Sequence, residues 1–188
     1  MRDLHDGLGS QLFTSLSRVE RGDMDDQQIA AALRGCIADM RLALDALASG
    51  DNDVGAAVGS FMFRWKTQLS AAGVRLAWDI DASAGASAHD LPPHDVLQVL
   101  RVAQEALTNV LKHAHATQVG LRLRKTEGML ELQIEDNGRG AGDEPPAHGR
   151  GMDNMRTRAK RLGGRFSVRS SSLGTSLVLQ VPLAAPAL

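Results

Sequence analysis

Gln104-Glu105-Ala106-Leu107-Thr108-Asn109-Val110-Leu111-Lys112-His113-Ala114 is the stretch whose reading decides the fold. At about 100° per residue, Val96, Leu100, Ala103, Leu107, Val110 and Leu111 gather on one side of a helix. Glu105, Asn109, Lys112 and His113 gather nearly opposite. A merely solvated face carries an excess of Glu and Lys, whereas this one has an asparagine at its centre. Magnesium suits such a face, because it keeps several waters and takes only one or two protein oxygens beside substrate phosphates. Lys112 supplies a mobile point charge for phosphate.

Downstream, Leu130, Leu132, Ile134 and Asp136 share one strand parity. A carboxylate on the buried register at a strand end is costly unless something donates to it. A two-hydrogen donor such as an adenine amine fits that need, although a plain turn aspartate reads equally well from Asp136-Asn137 alone. Gly138, Gly140 and Gly142 allow close backbone approach and loop motion. Gly149-Arg150-Gly151-Met152 leads straight into a helix, whose first N–H groups form an anion site. There is no Gly-Lys-Ser/Thr, and Gly138-x-Gly140 opens no helix. Walker A and dinucleotide-binding readings both fail.

The remaining pattern is α+β. Leu4, Leu8, Leu12, Leu16 and Val19 mark one helical face, and Ile29, Leu33, Ile37, Met40, Leu44 and Leu47 mark a second, capped by Asp25 or Asp26. A two-helix hairpin this small cannot bury both stripes, so it is expected to dimerise into a four-helix bundle. A helix over 54–72, a strand over 74–80 and the helix over 95–114 follow. Strands over 118–124 and 129–135, a helix over 152–162, and strands over 165–169 and 175–181 complete the chain. This predicts helices on one face of a largely antiparallel sheet. The expected boundary divides a helical part, 1–52, from an α/β sandwich, 53–188.

His5 stands in Arg2-Asp3-Leu4-His5-Asp6-Gly7-Leu8-Gly9. A lone helical histidine is most often surface decoration. Here it lies one residue off the Leu4/Leu8/Leu12 stripe, at the predicted bundle edge, where a visiting domain can reach it. Neutral imidazole is a competent nucleophile when a carboxylate fixes its tautomer. Asp6 is the candidate, though helical neighbours do not face one another directly.

Composition narrows the class further. The 188 residues are 43% hydrophobic and 23% charged, with a formal net charge of -1, so no global basic field draws the chain to nucleic acid. The single cysteine, Cys36, excludes an intramolecular disulfide and reads as a small core residue. His113 and His115 have the wrong helical spacing for one zinc face. Arg156, Arg158, Lys160 and Arg161 read as a solvated basic face. No run approaches the roughly 18 apolar residues of a membrane span, so a cytoplasmic protein is expected, with membrane attachment only through a segment upstream.

Taken in order, these motifs resemble the catalytic core of a two-component sensor histidine kinase of the DesK/NarX-like subfamily. The box around His5 is similar to that family's phosphoacceptor box. Glu105-x-x-x-Asn109-x-x-Lys112-His113-Ala114 matches its N box, Asp136-Asn137-Gly138-Arg139-Gly140 a first glycine box, and Gly149-Arg150-Gly151-Met152 with Met155-Arg156-x-Arg158-Ala159 a second. Gly174-Thr175 matches the closing Gly-Thr. The resemblance implies a dimeric helical phosphoacceptor domain followed by a Bergerat-type ATP-binding domain. It makes His5, Asp6 and Glu105 the catalytic set, with His5 taking the γ-phosphoryl group and Asp6 as base and orienter. Asn109 would hold Mg2+, Asp136 the adenine amine, and Thr175 a water-bridged adenine edge. Lys112, His113, Gly138, Gly140, Gly149, Gly151 and Met152 would complete the ATP site. The phosphate would then pass to an aspartate of a response regulator, itself typically DNA-binding, while this chain contacts no nucleic acid directly.

Two departures carry expectations. The subfamily often has Gln five residues after the phosphoacceptor; here Ser10 stands there and Gln11 follows, a rotation of about 100° that disfavours dephosphorylation of the regulator. Only four residues precede His5, which places it in a fraying first turn. Two other readings fit parts of the sequence: a nucleotide-holding regulatory module without autokinase activity, and an anti-sigma-type serine kinase. The latter has no need of a helical hairpin bearing an acid-flanked histidine.

Overall fold

The computed structural model describes residues 16–48, 54–81, 91–126, 128–140 and 150–183. Residues 16–20 are helical. Helix α1 spans Asp26–Ala48, and Asp25 sets its start. The Asp25 Oδ1 accepts the Gln28 N–H at 2.7 Å, and the Gln28 Oε1 accepts the Asp25 N–H at 3.4 Å. That reciprocal pair is a capping box. Helix α2 spans Val54–Ala71, α3 Pro93–Asn109 and α4 Arg150–Arg161. Pro93 fills the first turn of α3, where a missing N–H costs nothing.

Glycine in the left-handed region stops two of these helices. At Gly73 (φ 75°) the Val74 N–H reaches the Leu69 carbonyl at 2.8 Å, and beyond Gly163 (φ 63°) the Gly164 N–H reaches Ala159 at 2.8 Å. Both are Schellman closures.

Strands β1 (Arg75–Ile80), β2 (Gln118–Thr126), β3 (Met129–Asp136), β4 (Arg165–Ser171) and β5 (Gly174–Pro182) form one sheet in the order β1-β2-β3-β5-β4. Only the β1–β2 pair is parallel. The α+β class, and helices on one face of a largely antiparallel sheet, are as the sequence predicts. Inward residues obey strict alternation: Leu121, Leu123, Leu130, Leu132, Ile134, Leu179 and Val181 are all buried against α3 and its neighbours. Burying each such side chain contributes about 1.5–3 kcal/mol. The opposite face is polar and internally bonded, with Ser176 Oγ donating to Glu135 at 3.0 Å and Gln180 Nε2 to Glu131 at 2.8 Å.

α1 departs from its single-stripe reading. Leu33, Ile37, Met40 and Leu44 are indeed aligned, but they are 50–61% exposed. A second face, carrying Cys36, Leu42 and Ala43, is buried, and Leu42 joins the core against α2 and α3. Periodicity detects the stronger stripe; the weaker one packs because small residues let α1 approach α3. Among the described residues no helix is long and apolar enough to cross a membrane.

Candidate functional site

A cavity of about 550 Å³ opens between α3, the start of α4 and the β3/β4/β5 end of the sheet. That volume is within the usual range for a small-molecule site. α3 and the turn after it present Glu105, Thr108, Asn109, Lys112 and His113 to it. The whole polar face read from the sequence therefore converges on one cavity, while Val96, Leu100, Ala103 and Leu107 on the opposite face have no exposure. α3 ends in a π-helical turn, Val110–Ala114, closed by His115 in the left-handed conformation (φ 52°). This wider turn rotates later residues less than an α-turn does. Lys112 and His113 stay at the cavity, and Leu111, expected on the buried stripe, is 36% exposed.

The facing wall is built by the sheet. Leu130, Leu132 and Ile134 point inward, and Asp136 continues their parity as a half-buried carboxylate. Burial pushes its pKa above the ordinary carboxylate value, opposed by N–H groups of Gly138 and Thr175. The Gly138 N–H donates to Oδ1 at 2.8 Å. Two backbone donors thus offset part of the burial cost and leave acceptor capacity facing the cavity. Thr175 lies opposite Asp136 in the β3–β5 ladder, with its Oγ1 3.2 Å from Ser170 Oγ.

The glycines act by close approach. A side chain at Gly138 would strike the Ala114 carbonyl, and one at Gly140 the Ser171 carbonyl. One at Gly151 would overlap the Glu105 carboxylate, which lies against the first turn of α4. Met152, with Met155, Val168, Leu177 and Ala106, gives the cavity an apolar lining. His5, Asp6, Ser10, Gln11, Gly142 and Gly149 lie outside the described residues.

Three residues around the site do what the sequence reading did not assign to them. Asn137 Oδ1 accepts the Thr117 N–H at 3.0 Å and the Gln118 N–H at 2.8 Å, while its Nδ2 donates to Thr117 Oγ1 at 2.9 Å. It pins the loop after β3 to the strand beside it. Arg139 fastens the same loop to α3's end, its N–H reaching Ala114 O at 2.8 Å and its Nε His113 O at 3.1 Å. Asn after Asp at a turn was the available signal. Arg158 corrects the reading of a solvated basic face: it is half-buried, and its Nη1 donates to Gln98 Oε1 at 2.8 Å.

Among the described residues no three His, Cys, Asp or Glu side chains cluster as a metal cage. The Asn109 amide beside Glu105 fits a cation that draws most of its oxygens from phosphate and water.

Residues 94–185, which frame this cavity, match the family of histidine kinase-, DNA gyrase B- and HSP90-like ATPases. This stretch is similar to the ATP-binding domains of that family. Sensor protein VraS of Staphylococcus epidermidis is 28% identical over 197 residues, covering 97% of this chain and 54% of the relative. VraS of Staphylococcus aureus is 28% identical over the same shares. The chain thus spans about half the length of the curated relatives it matches. Among solved structures, the histidine kinase domain of the Erythrobacter litoralis EL346 blue-light activated kinase shares the fold with a TM-score of 0.72 at 20% identity, over 96% of this chain and 85% of that one. Acinetobacter baumannii histidine kinase AdeS gives 0.60 at 14% identity, over 96% and 98%. The resemblance to two-component sensor histidine kinases therefore holds, at that level rather than at that of the DesK/NarX-like subfamily.

The pocket chemistry predicts an outcome for Asp136→Asn. Where Asp136 is the acceptor of an adenine amine, as the motif resemblance implies, Asn in its place presents a competing donor and no charge, so ATP affinity should fall about 10-fold or more, the scale of one charged hydrogen bond. The pH signs differ for binding and folding. Because burial raises the Asp136 pKa, acidification neutralises it above the usual carboxylate range, and ATP affinity should fall there. The apo fold, relieved of a half-buried charge, should gain stability over that same interval. Calorimetric titration and melting curves from pH 7 to 4.5 test this; equal affinity in Asp136→Asn rules the adenine assignment out.

Proposed function

We propose that this chain is the core of a sensor histidine kinase that moves the γ-phosphoryl group of ATP to His5 and then to an aspartate of a response regulator. Residues 1–52 would form the phosphoacceptor and homodimerisation part, and 53–188 the catalytic part. The observation that carries the reading is the convergence of Glu105, Asn109 and Lys112 from α3 with Asp136 and Thr175 from the sheet on one cavity.

In this reading Asp136 accepts the adenine amine, and Thr175 with Ser170 borders the same edge. The apolar lining excludes water from the base. Lys112 meets the phosphates as a point charge, and Gly140 lets the loop backbone close on them. Asn109 would hold Mg2+, which neutralises charge on the phosphates when bound. An imidazole nitrogen of His5 then forms a bond to the γ-phosphorus as the bond to the β,γ-bridging oxygen breaks, and ADP leaves. Asp6 orients the imidazole and takes its proton. Glu105 sits beside the reacting end as a carboxylate. The location is the cytoplasm, with any membrane anchor upstream, and the partner is a regulator that carries the DNA-binding function.

Incubation with γ-labelled ATP and magnesium tests the proposal. Acid-labile, base-stable label should appear on the chain and vanish in His5→Ala, which should still bind ATP. Label that persists in His5→Ala, or acid-stable label on another protein, would falsify it.

A further inference from the structure

The end of α3 is closed differently from the ends of α2 and α4. There, an N–H just past a left-handed glycine returns to a carbonyl of the same helix, from Val74 to Leu69 and from Gly164 to Ala159. After α3 the left-handed residue is His115 (φ 52°), and the N–H groups of Thr117 and Gln118 both go to Asn137 Oδ1, at 3.0 and 2.8 Å. The last carbonyls of a helix have no partner within it and need one from outside. Two of them find it in a single residue. The Arg139 N–H reaches Ala114 O at 2.8 Å, and Arg139 Nε reaches His113 O at 3.1 Å.

Asn137 and Arg139 thus clasp the α3–β2 junction from both sides. Asn137 accepts from the chain leaving the helix, and Arg139 donates to the helix end. The residue between them permits this, since a Cβ at Gly138 would strike the Ala114 carbonyl oxygen. Asp136, first in the same run, accepts the Gly138 N–H at 2.8 Å. One short run, Asp136 to Arg139, therefore touches two parts of the cavity wall: its own carboxylate, and the π-helical turn that presents Lys112 and His113. Arg139 is exposed and is not among the residues lining the cavity. Any effect it has on a ligand through these bonds passes by way of the two carbonyls it holds. Asp136 is held without it, by the β3 pairings to Val119 and Thr175.

We propose that Arg139 is a positioning residue that sets where Lys112 and His113 stand relative to Asp136, and so fits the cavity to a ligand that spans both, a nucleotide rather than a nucleoside. This rests on the reading in which Asp136 meets adenine and Lys112 the phosphates. The hydrogen bond, not the charge, is the working part. Arg139 makes it through Nε, the third atom beyond Cβ. Glutamine carries its Nε2 at that same reach and donates without charge, whereas lysine has a methylene there and its charge one atom further.

Calorimetric titration of the whole chain with ATP, ADP and adenosine tests it, in wild type and in Arg139→Gln, Arg139→Lys and Arg139→Ala. Arg139→Ala and Arg139→Lys should each weaken ATP and ADP about five-fold, the scale of one hydrogen bond, and leave adenosine nearly unchanged. Arg139→Gln should stay close to wild type for all three ligands. The side chain is exposed and the main-chain bond to Ala114 survives every substitution, so all three variants should fold. Arg139→Gln as weak as Arg139→Ala overturns the positioning role; if Arg139→Lys is then near wild type, the cation acts on the phosphates directly. An equal loss for adenosine and ATP marks a general loosening of the fold and also overturns it. Absence of saturable ATP binding in wild type sinks the nucleotide reading and this inference together. Normal ATP binding that is unchanged in all three variants sinks the inference alone.

Discussion

Asn109→Ala should lower phosphoryl transfer by on the order of 100-fold or more, the scale of losing one preorganised group at a developing charge, while leaving nucleotide affinity without magnesium nearly unchanged. Asn109 is the last residue of α3, half-buried, and lines the cavity. Its side chain is not committed to capping the helix end; the Val110 N–H goes back to the Ala106 and Leu107 carbonyls. The amide is therefore available to the cavity. Truncation removes an oxygen donor without removing a core contact, so the fold should melt within a few degrees of wild type. Asn109→Asp restores an oxygen but adds a charge facing phosphate, and should recover only part of the rate. Single-turnover transfer with and without excess magnesium separates the cases. A normal rate in Asn109→Ala means the metal, if used, is held elsewhere.

Legibility in the sequence followed the physical range of each signal. The α3 faces were readable because an amphipathic helix repeats its pattern over several turns, and both the buried stripe from Val96 to Leu107 and the polar row from Glu105 to His113 lie as the periodicity placed them. The parity of Leu130, Leu132, Ile134 and Asp136 carried just as far, since a strand alternates without exception until a bulge intervenes. The π-helical turn at Val110–Ala114 was not readable: a single turn of altered winding leaves no periodic trace, and it moved Leu111 outward. Asn137 and Arg139 act by bonds to backbone groups 19 to 26 residues away in sequence, which composition does not encode. The burial of α1's second face, and of Arg158, depends on which helix packs beside which. His5, on which the proposed chemistry turns, lies outside the described residues, so its role still rests on the sequence motif.

Gly174→Ala should be among the most damaging single methyls at the described residues, costing on the order of 3 kcal/mol or more by adding backbone strain to overpacking. Gly174 is buried, and its φ of 135° is a conformation that side chains rarely adopt. A Cβ there would run into the Asp136 carbonyl oxygen, with the Asp136 carbonyl carbon at 2.9 Å and the Asn137 Cα at 3.1 Å. Every atom it meets is backbone of the β3 end, so no side-chain rotation relieves the clash. Relief requires β3 and β5 to separate where Asp136 faces Thr175. Stability and nucleotide affinity should therefore fall together, because the carboxylate proposed to hold adenine moves with the strand. Gly163→Ala is the matched control: its φ is also positive (63°), but the nearest neighbour of its Cβ is Pro182 Cγ at 3.8 Å. It should cost only the left-handed penalty, roughly 1 kcal/mol, and leave ATP binding intact. Urea midpoints and calorimetric affinities of the two variants, taken side by side, separate conformational strain from displacement of the site. Equal losses in both would mean that the close approach of Gly174 to Asp136 does not govern the pocket.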